Sequence, residues 1–162
     1  MPYSPILTTL AFVLSPDGER VLMCHRTARP DDEQIGKYNG LGGKVERDED
    51  VVAGMRRELR EEAGIEATSM RLRGTVSWPG FGQNGEDVLG LIFVVDAFSG
   101  DVPASNDEGT LTWERIDALD SLPMWEGDRH FLPLVFDESV GQFHAHLPYE
   151  SGRPVGWSVS VL

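Results

Sequence analysis

Apolar residues fall along this chain in short blocks separated by turn chemistry. Ile6 to Leu14 is apolar and rich in β-formers, Ser15-Pro16-Asp17-Gly18 is a turn, and Arg20 to His25 resumes an extended pattern. That predicts a hairpin of two strands. Thr27 to Lys37 is polar, with one Pro and one Gly, and reads as a surface loop leading through Tyr38–Glu46 toward a helix. Asp48 as N-cap and Gly64 as stop give that helix about four turns. Val52, Met55, Leu59 and Ala63 form its apolar stripe.

Beyond the helix, Arg71 to Trp78 is a predicted strand and Pro79 to Gly85 a glycine-rich turn. Val88 to Phe98 is the most apolar run and predicts a buried strand. Ser99 to Gly109 is an acidic loop, followed by a short strand from Leu111 to Arg115 and a turn from Ile116. Met124 to Phe136 has helical spacing, with Pro133 limiting or kinking it. Phe143 to Pro148 and Val155 to Leu162 predict a closing hairpin. Mixed strands with two helices define an α+β chain, an α/β/α sandwich around a mixed sheet, and the length of 162 residues predicts one domain over 1–162.

Composition narrows the partners. The net charge of −13 argues against a polynucleotide surface, which needs clustered Lys and Arg. A nucleotide needs only local positive charge, which a metal supplies. No apolar run is long enough to span a bilayer, and the first residues lack a basic, cleavable pattern. The single cysteine, Cys24, fits a reducing cytoplasm, the expected location, and reads as a small buried hydrophobe. His144 and His146 share a strand face, but no third ligand accompanies them.

The candidate chemistry lies in one stretch. At about 100° per residue, Glu58, Glu61 and Glu62 fall within roughly 100° of one another on the helix. Like charges at this spacing repel, and a hard divalent cation relieves the repulsion. The loop Gly40-Leu41-Gly42-Gly43 brings backbone carbonyls and N–H groups close to whatever the acids hold.

The stretch Gly43–Ile65 resembles the Nudix box, G-x5-E-x7-R-E-U-x-E-E-x-G-U, at every fixed position: Gly43, Glu49, Arg57, Glu58, Leu59, Glu61, Glu62, Gly64 and Ile65. The resemblance implies a hydrolase of nucleoside diphosphate derivatives. It implies Mg²⁺, or Mn²⁺, held by Glu58, Glu61 and Glu62 with the Gly43 carbonyl, while Glu49 and Arg57 orient. Tyr38–Glu46, and Met124-Trp125 with Asp128 and Pro133-Leu134, resemble segments of the oxidised-purine nucleoside triphosphatases related to MutT. This second resemblance implies a small-molecule nucleotide substrate, with Asn39, Trp125 and Asp128 around the base, Gly42 also in the substrate site, and Glu108 as a further acid for the metal or the attacking water; Lys44, next to Gly43, is a candidate for a phosphate contact. It implies attack at the α-phosphorus, giving a nucleoside monophosphate and pyrophosphate. Trp78 and Phe81 are further candidates for the pocket lining.

Three features depart from that subfamily: Gly127 stands where a second acid is usual, Tyr38 where tryptophan is usual, and the loop before Asn39 is longer. Alternatives are another Nudix substrate (ADP-ribose, a dinucleoside polyphosphate or a pyrimidine nucleotide), for which Pro79 is a weak cue, and a non-catalytic nucleotide-binding domain.

Overall fold

The computed structural model describes all residues, Met1–Leu162. The strands are β1 (Ile6–Leu14), β2 (Arg20–Arg26), β3 (Tyr38–Asn39), β4 (Leu41–Lys44), β5 (Glu66–Trp78), β6 (Val88–Ser99), β7 (Gly109–Arg115), β8 (Phe143–His146), β9 (Tyr149–Glu150), β10 (Arg153–Pro154) and β11 (Ser158–Val161). The helices are α1 (Val51–Ala63) and α2 (Asp128–Phe136), and a 3₁₀ turn covers Ile116–Ser121.

Nine strands make one mixed sheet in the order β11-β8-β5-β6-β1-β2-β3, with β4 also on β1 and β7 also on β2. The β1–β6 and β5–β8 pairs are parallel and the rest antiparallel. Period-two alternation sends successive side chains to opposite faces. Phe12, Ile92 and Val94 pack on the α2 side with Phe131, Leu132 and Val135. Ala11, Val13, Phe93 and Val95 pack on the α1 side with Met55, Leu59 and Ala63. The result is the predicted α/β/α sandwich.

The predicted hairpin of β1 and β2 holds only at its turn end, at Val13↔Leu22 and Leu14↔Val21. Past that point β1 leaves β2 and pairs with β4 over Thr8↔Lys44 to Ala11↔Leu41.

Several boundaries differ from the sequence expectation. The N-cap of α1 is Asp50, not Asp48: the Val52 and Ala53 N–H groups each donate to its Oδ1 at 2.9 Å. Val52 is exposed because it sits at the open first turn, so the buried stripe is Gly54, Met55, Leu59 and Ala63. Gly64 ends α1 in the left-handed region, φ 64°, as predicted. Tyr38–Lys44, read as a loop, is two short strands. β5 begins at Glu66 rather than Arg71. The second helix starts at Asp128 rather than Met124 and runs through Pro133 without ending there. β8 pairs with β11, while the connection folds into its own small hairpin of β9 and β10.

Arg73 anchors α2. Its buried guanidinium donates to the carbonyls of Val135 at 3.1 Å, Leu134 at 2.8 Å, Asp137 at 3.2 Å and Val140 at 2.9 Å. The last carbonyls of a helix have no partner within it, and here one cation satisfies them.

Candidate active site

The loop–helix unit is built by close approach. A Cβ on Gly42 would fall 1.9 Å from the Thr9 carbonyl oxygen, so only glycine lets β4 lie this close to β1. A Cβ on Gly43 would fall 2.5 Å from Glu58 Oε1, so the same economy seats the Glu58 carboxylate on the backbone. The Gly42 N–H donates to Glu62 Oε2 at 2.9 Å. Asn106, in the loop before β7, donates from Nδ2 to the Glu62 carbonyl at 3.0 Å. Its Oδ1 accepts from the Glu108 and Gly109 N–H groups at 2.9 and 3.1 Å. Asn106 thereby ties the end of α1 to the loop carrying Glu108.

Arg57 sits at the centre of a second set of contacts. It donates to both Glu49 oxygens at 2.6 and 2.9 Å, to Glu58 at 3.0 Å, to Glu61 at 3.3 Å and to the Lys44 carbonyl at 3.1 Å. This bidentate pair holds the Glu49 carboxyl down to about 2, aided by the Glu46 N–H. Glu49 and Arg57 together link helix and loop.

The three helix acids are not equivalent. Glu61 is exposed, its side chain 59% accessible, whereas Glu58 retains 13%. Burial raises the Glu58 carboxyl despite Arg57 beside it. Burial, reinforced by the charges of Glu108 and Glu58, pushes Glu62 up to about 8. Glu108, from a different element, therefore faces the same charge cluster. Its Oε2 accepts from Arg26 Nη1 at 2.7 Å. Nothing in the sequence marks Arg26; the β2–β7 register, which sets Arg26 opposite Gly109, brings it there.

No three acids or histidines converge on one point. The donor set nevertheless fits a hard divalent ion by its chemistry. Glu58 supplies carboxylate oxygens beside the Gly43 backbone and Glu62 beside that of Gly42, and oxygen donors of this kind suit a hard cation. His144 is engaged elsewhere, by Thr75 at 2.8 Å and Gln142 at 3.0 Å. Cys24 is buried, and burial pushes its thiol up to about 11, in line with a packing role.

A cleft of about 640 Å³ opens beside the loop. Thr8, Asn39, Gly40, Gly42, Gly43 and Lys44 line it together with Trp78, Phe81, Trp125 and Asp128. Asn39, Trp125 and Asp128 thus line one cleft, together with exposed Lys44, whose charge acts on Glu86. Asn39 Nδ2 is buried without a hydrogen-bond partner. Burial pushes the Asp128 carboxyl up to about 7, against the pull of Arg129. Trp78 is 7% exposed and packs against Phe131, so it belongs chiefly to the core. Gly127 leaves no room for a second acid: a Cβ there would fall 2.4 Å from Tyr149 Oη, which accepts from the Gly127 N–H at 3.0 Å. The Thr27–Lys37 loop also reaches the cleft, through Arg29, Asp32 and Gln34, which its polarity alone did not indicate.

Sandwich, glycine-seated carboxylates and nucleotide-sized cleft together define a class, the hydrolases that present a loop–helix acid cluster to a phosphorylated substrate. Within that class the chain belongs to the Nudix family: the family profile described as NUDIX domain matches residues 5–135. Enzymes of this family generally use a divalent metal. An oxidized purine nucleoside triphosphate hydrolase of Danio rerio is 33% identical over 104 residues, covering 64% of this chain and 65% of that protein, just under two thirds of its length. The protein of the same name in Mus musculus is 28% identical over 145 residues, covering 89% of this chain and 86% of its own. In structure, a MutT protein from Bacillus halodurans superposes with a TM-score of 0.82 at 22% identity, over 96% of this chain and 97% of its own. That likeness concerns the fold. No helix is long and apolar enough to cross a membrane.

Proposed function

We propose that the chain is a Mg²⁺-dependent pyrophosphohydrolase of purine nucleoside triphosphates, with oxidised purines as its substrate class, releasing nucleoside monophosphate and pyrophosphate. The observation that carries this reading is the cleft itself. Its lining holds an unpartnered amide donor on Asn39, an indole on Trp125 and a carboxyl on Asp128 raised by burial. The same lining includes Gly42 and Gly43, which contact Glu62 and Glu58 of the acid cluster.

The chemistry follows from these groups. Bound Mg²⁺ supplies Lewis acidity and offsets phosphate charge. Glu58, Glu62 and the Gly43 carbonyl would hold it, while Arg57 and Glu49 fix helix to loop. Lys44 meets a phosphate. The purine stacks on Trp125 and is read by Asn39, and by Asp128, whose raised carboxyl allows a protonated form to donate. Water attacks the α-phosphorus, the bond to the bridging oxygen breaks, and pyrophosphate leaves with that oxygen. The water's proton passes to a carboxylate, from the helix side Glu61 or from the loop side Glu108. Comparing Glu61→Gln with Glu108→Gln separates the two by kcat.

The test is a product-resolved panel of oxidised and unmodified nucleoside triphosphates, ADP-ribose and dinucleoside polyphosphates with Mg²⁺. The proposal predicts an oxidised purine triphosphate at the top of the ranking by kcat/KM and pyrophosphate among the products. ADP-ribose cleaved to AMP and ribose phosphate as the preferred reaction overturns it.

A further inference from the structure

The loop between β2 and β3 is closed on itself. The Arg26 N–H donates to the Lys37 carbonyl at 2.9 Å, the Gly36 N–H to the Arg26 carbonyl at 2.6 Å and the Lys37 N–H to the Gln34 carbonyl at 2.9 Å. The Arg26 side chain pins Asp32 at 2.8 Å, and Asp32 Oδ1 accepts from the Gln34 N–H at 3.0 Å. From this base the loop reaches the segment before α2. The Tyr38 N–H donates to the Pro123 carbonyl at 2.8 Å, the Trp125 indole N–H points to Gln34 Oε1 at 3.5 Å, and Lys37 Nζ lies 4.4 Å from the Trp125 ring centroid. Lys37 is half-buried in a chain of net charge −13, yet no carboxylate pairs with it. Its partner is the indole face. Phe81 and Tyr149 meet the same indole edge to face, at 5.0 and 6.0 Å.

We infer that Lys37 and Gln34 are positioning residues for Trp125, and that the Thr27–Lys37 loop is a specificity element of the cleft which fixes the plane of the indole before a base arrives. The inference rests on the reading of Trp125 as the base-stacking residue. A ring held by a cation on one face and a hydrogen bond at its edge has few rotamers left to lose, so binding costs less ordering. The same contacts make the ring plane depend on a loop remote from the carboxylates. Loop and base preference are therefore coupled without any contact between Lys37 and the nucleotide.

A double-mutant cycle tests this, with 8-oxo-dGMP and dGMP as probes and calorimetry as readout. Lys37→Met should weaken binding of 8-oxo-dGMP by about threefold, the scale of a partly exposed cation–π contact, and Lys37→Arg should restore most of it. In a Trp125→Ala background, Lys37→Met should have no further effect. An equal loss with and without Trp125 overturns the inference, because Lys37 would then act on the nucleotide directly. So does an unchanged affinity in Lys37→Met when Trp125→Ala alone weakens binding. If Trp125→Ala leaves both affinities unchanged, or the unmutated chain binds neither probe, the base-stacking reading falls and takes this inference with it.

Discussion

Glu62 and Arg57 stand five residues apart on α1 and carry opposite assignments. Arg57 is satisfied by four carboxylates and one carbonyl, so it is a tie between helix and loop. Glu62 has one backbone donor and two acidic neighbours, so its charge is the least supported in the cluster. Glu62→Gln should lower kcat by at least about a hundredfold, the scale of losing a positioned charge at a reacting centre, while the melting temperature stays equal or rises. Steady-state kinetics beside a thermal melt check both halves. In the cleft, Asp128→Asn should reorder the base preference more than it lowers the rate on the best unmodified nucleotide, measured as kcat/KM across the panel. The helix acids are legible in the sequence because a local spacing of three and four residues puts them on one face. Arg26 and Asn106 are not, because their positions depend on strand register and on contacts between loops distant in sequence. Gly127 shows the reverse: the missing acid is visible in the sequence, but its cause, the Tyr149 hydroxyl packed against that backbone, is not.

At the scale of elements, turn and cap chemistry predicted where α1 stops but not where it starts. Asp48 and Asp50 are both reasonable caps, and the choice is made by the Glu46–Glu49 turn that Arg57 fastens. Tyr38–Lys44 looked like a loop because glycine is a poor strand former. Here the sheet overrides that propensity, since Gly42 is what allows β4 to approach β1. α2 begins four residues later than its apolar spacing indicates, because Met124 and Trp125 lie before the helix. Its far end depends on Arg73. Arg73→Met should destabilise the fold by about 2–4 kcal/mol, since four carbonyls lose a charged donor. Chemical denaturation with an unchanged m-value checks this, and a loss below about 0.5 kcal/mol would mean the carbonyls find other partners.

For the whole molecule, charge links site and stability. Glu62 and Asp128 have folded values of about 8 and about 7, above their ordinary 4.5 and 3.8. The folded state therefore holds protons that the unfolded chain has released. Each group contributes stability fully below its ordinary value and loses it as pH rises through its folded value. The metal-free chain should melt several degrees lower at pH 8 than at pH 5, by linkage. Adding Mg²⁺ at pH 8 should recover the loss, and Glu62→Gln should flatten the profile. A profile equally steep in Glu62→Gln would assign the effect to the overall charge of −13.

Divalent-ion binding by the glycine-seated carboxylates is the claim on which the chemistry depends. Titration of Mn²⁺ into the nucleotide-free chain, followed by the loss of the free-ion electron paramagnetic resonance signal, measures it directly. Saturable binding is expected, falling by at least about tenfold, roughly 1.4 kcal/mol, in Glu58→Gln and in Glu62→Gln. Unchanged Mn²⁺ affinity in the double variant would contradict it.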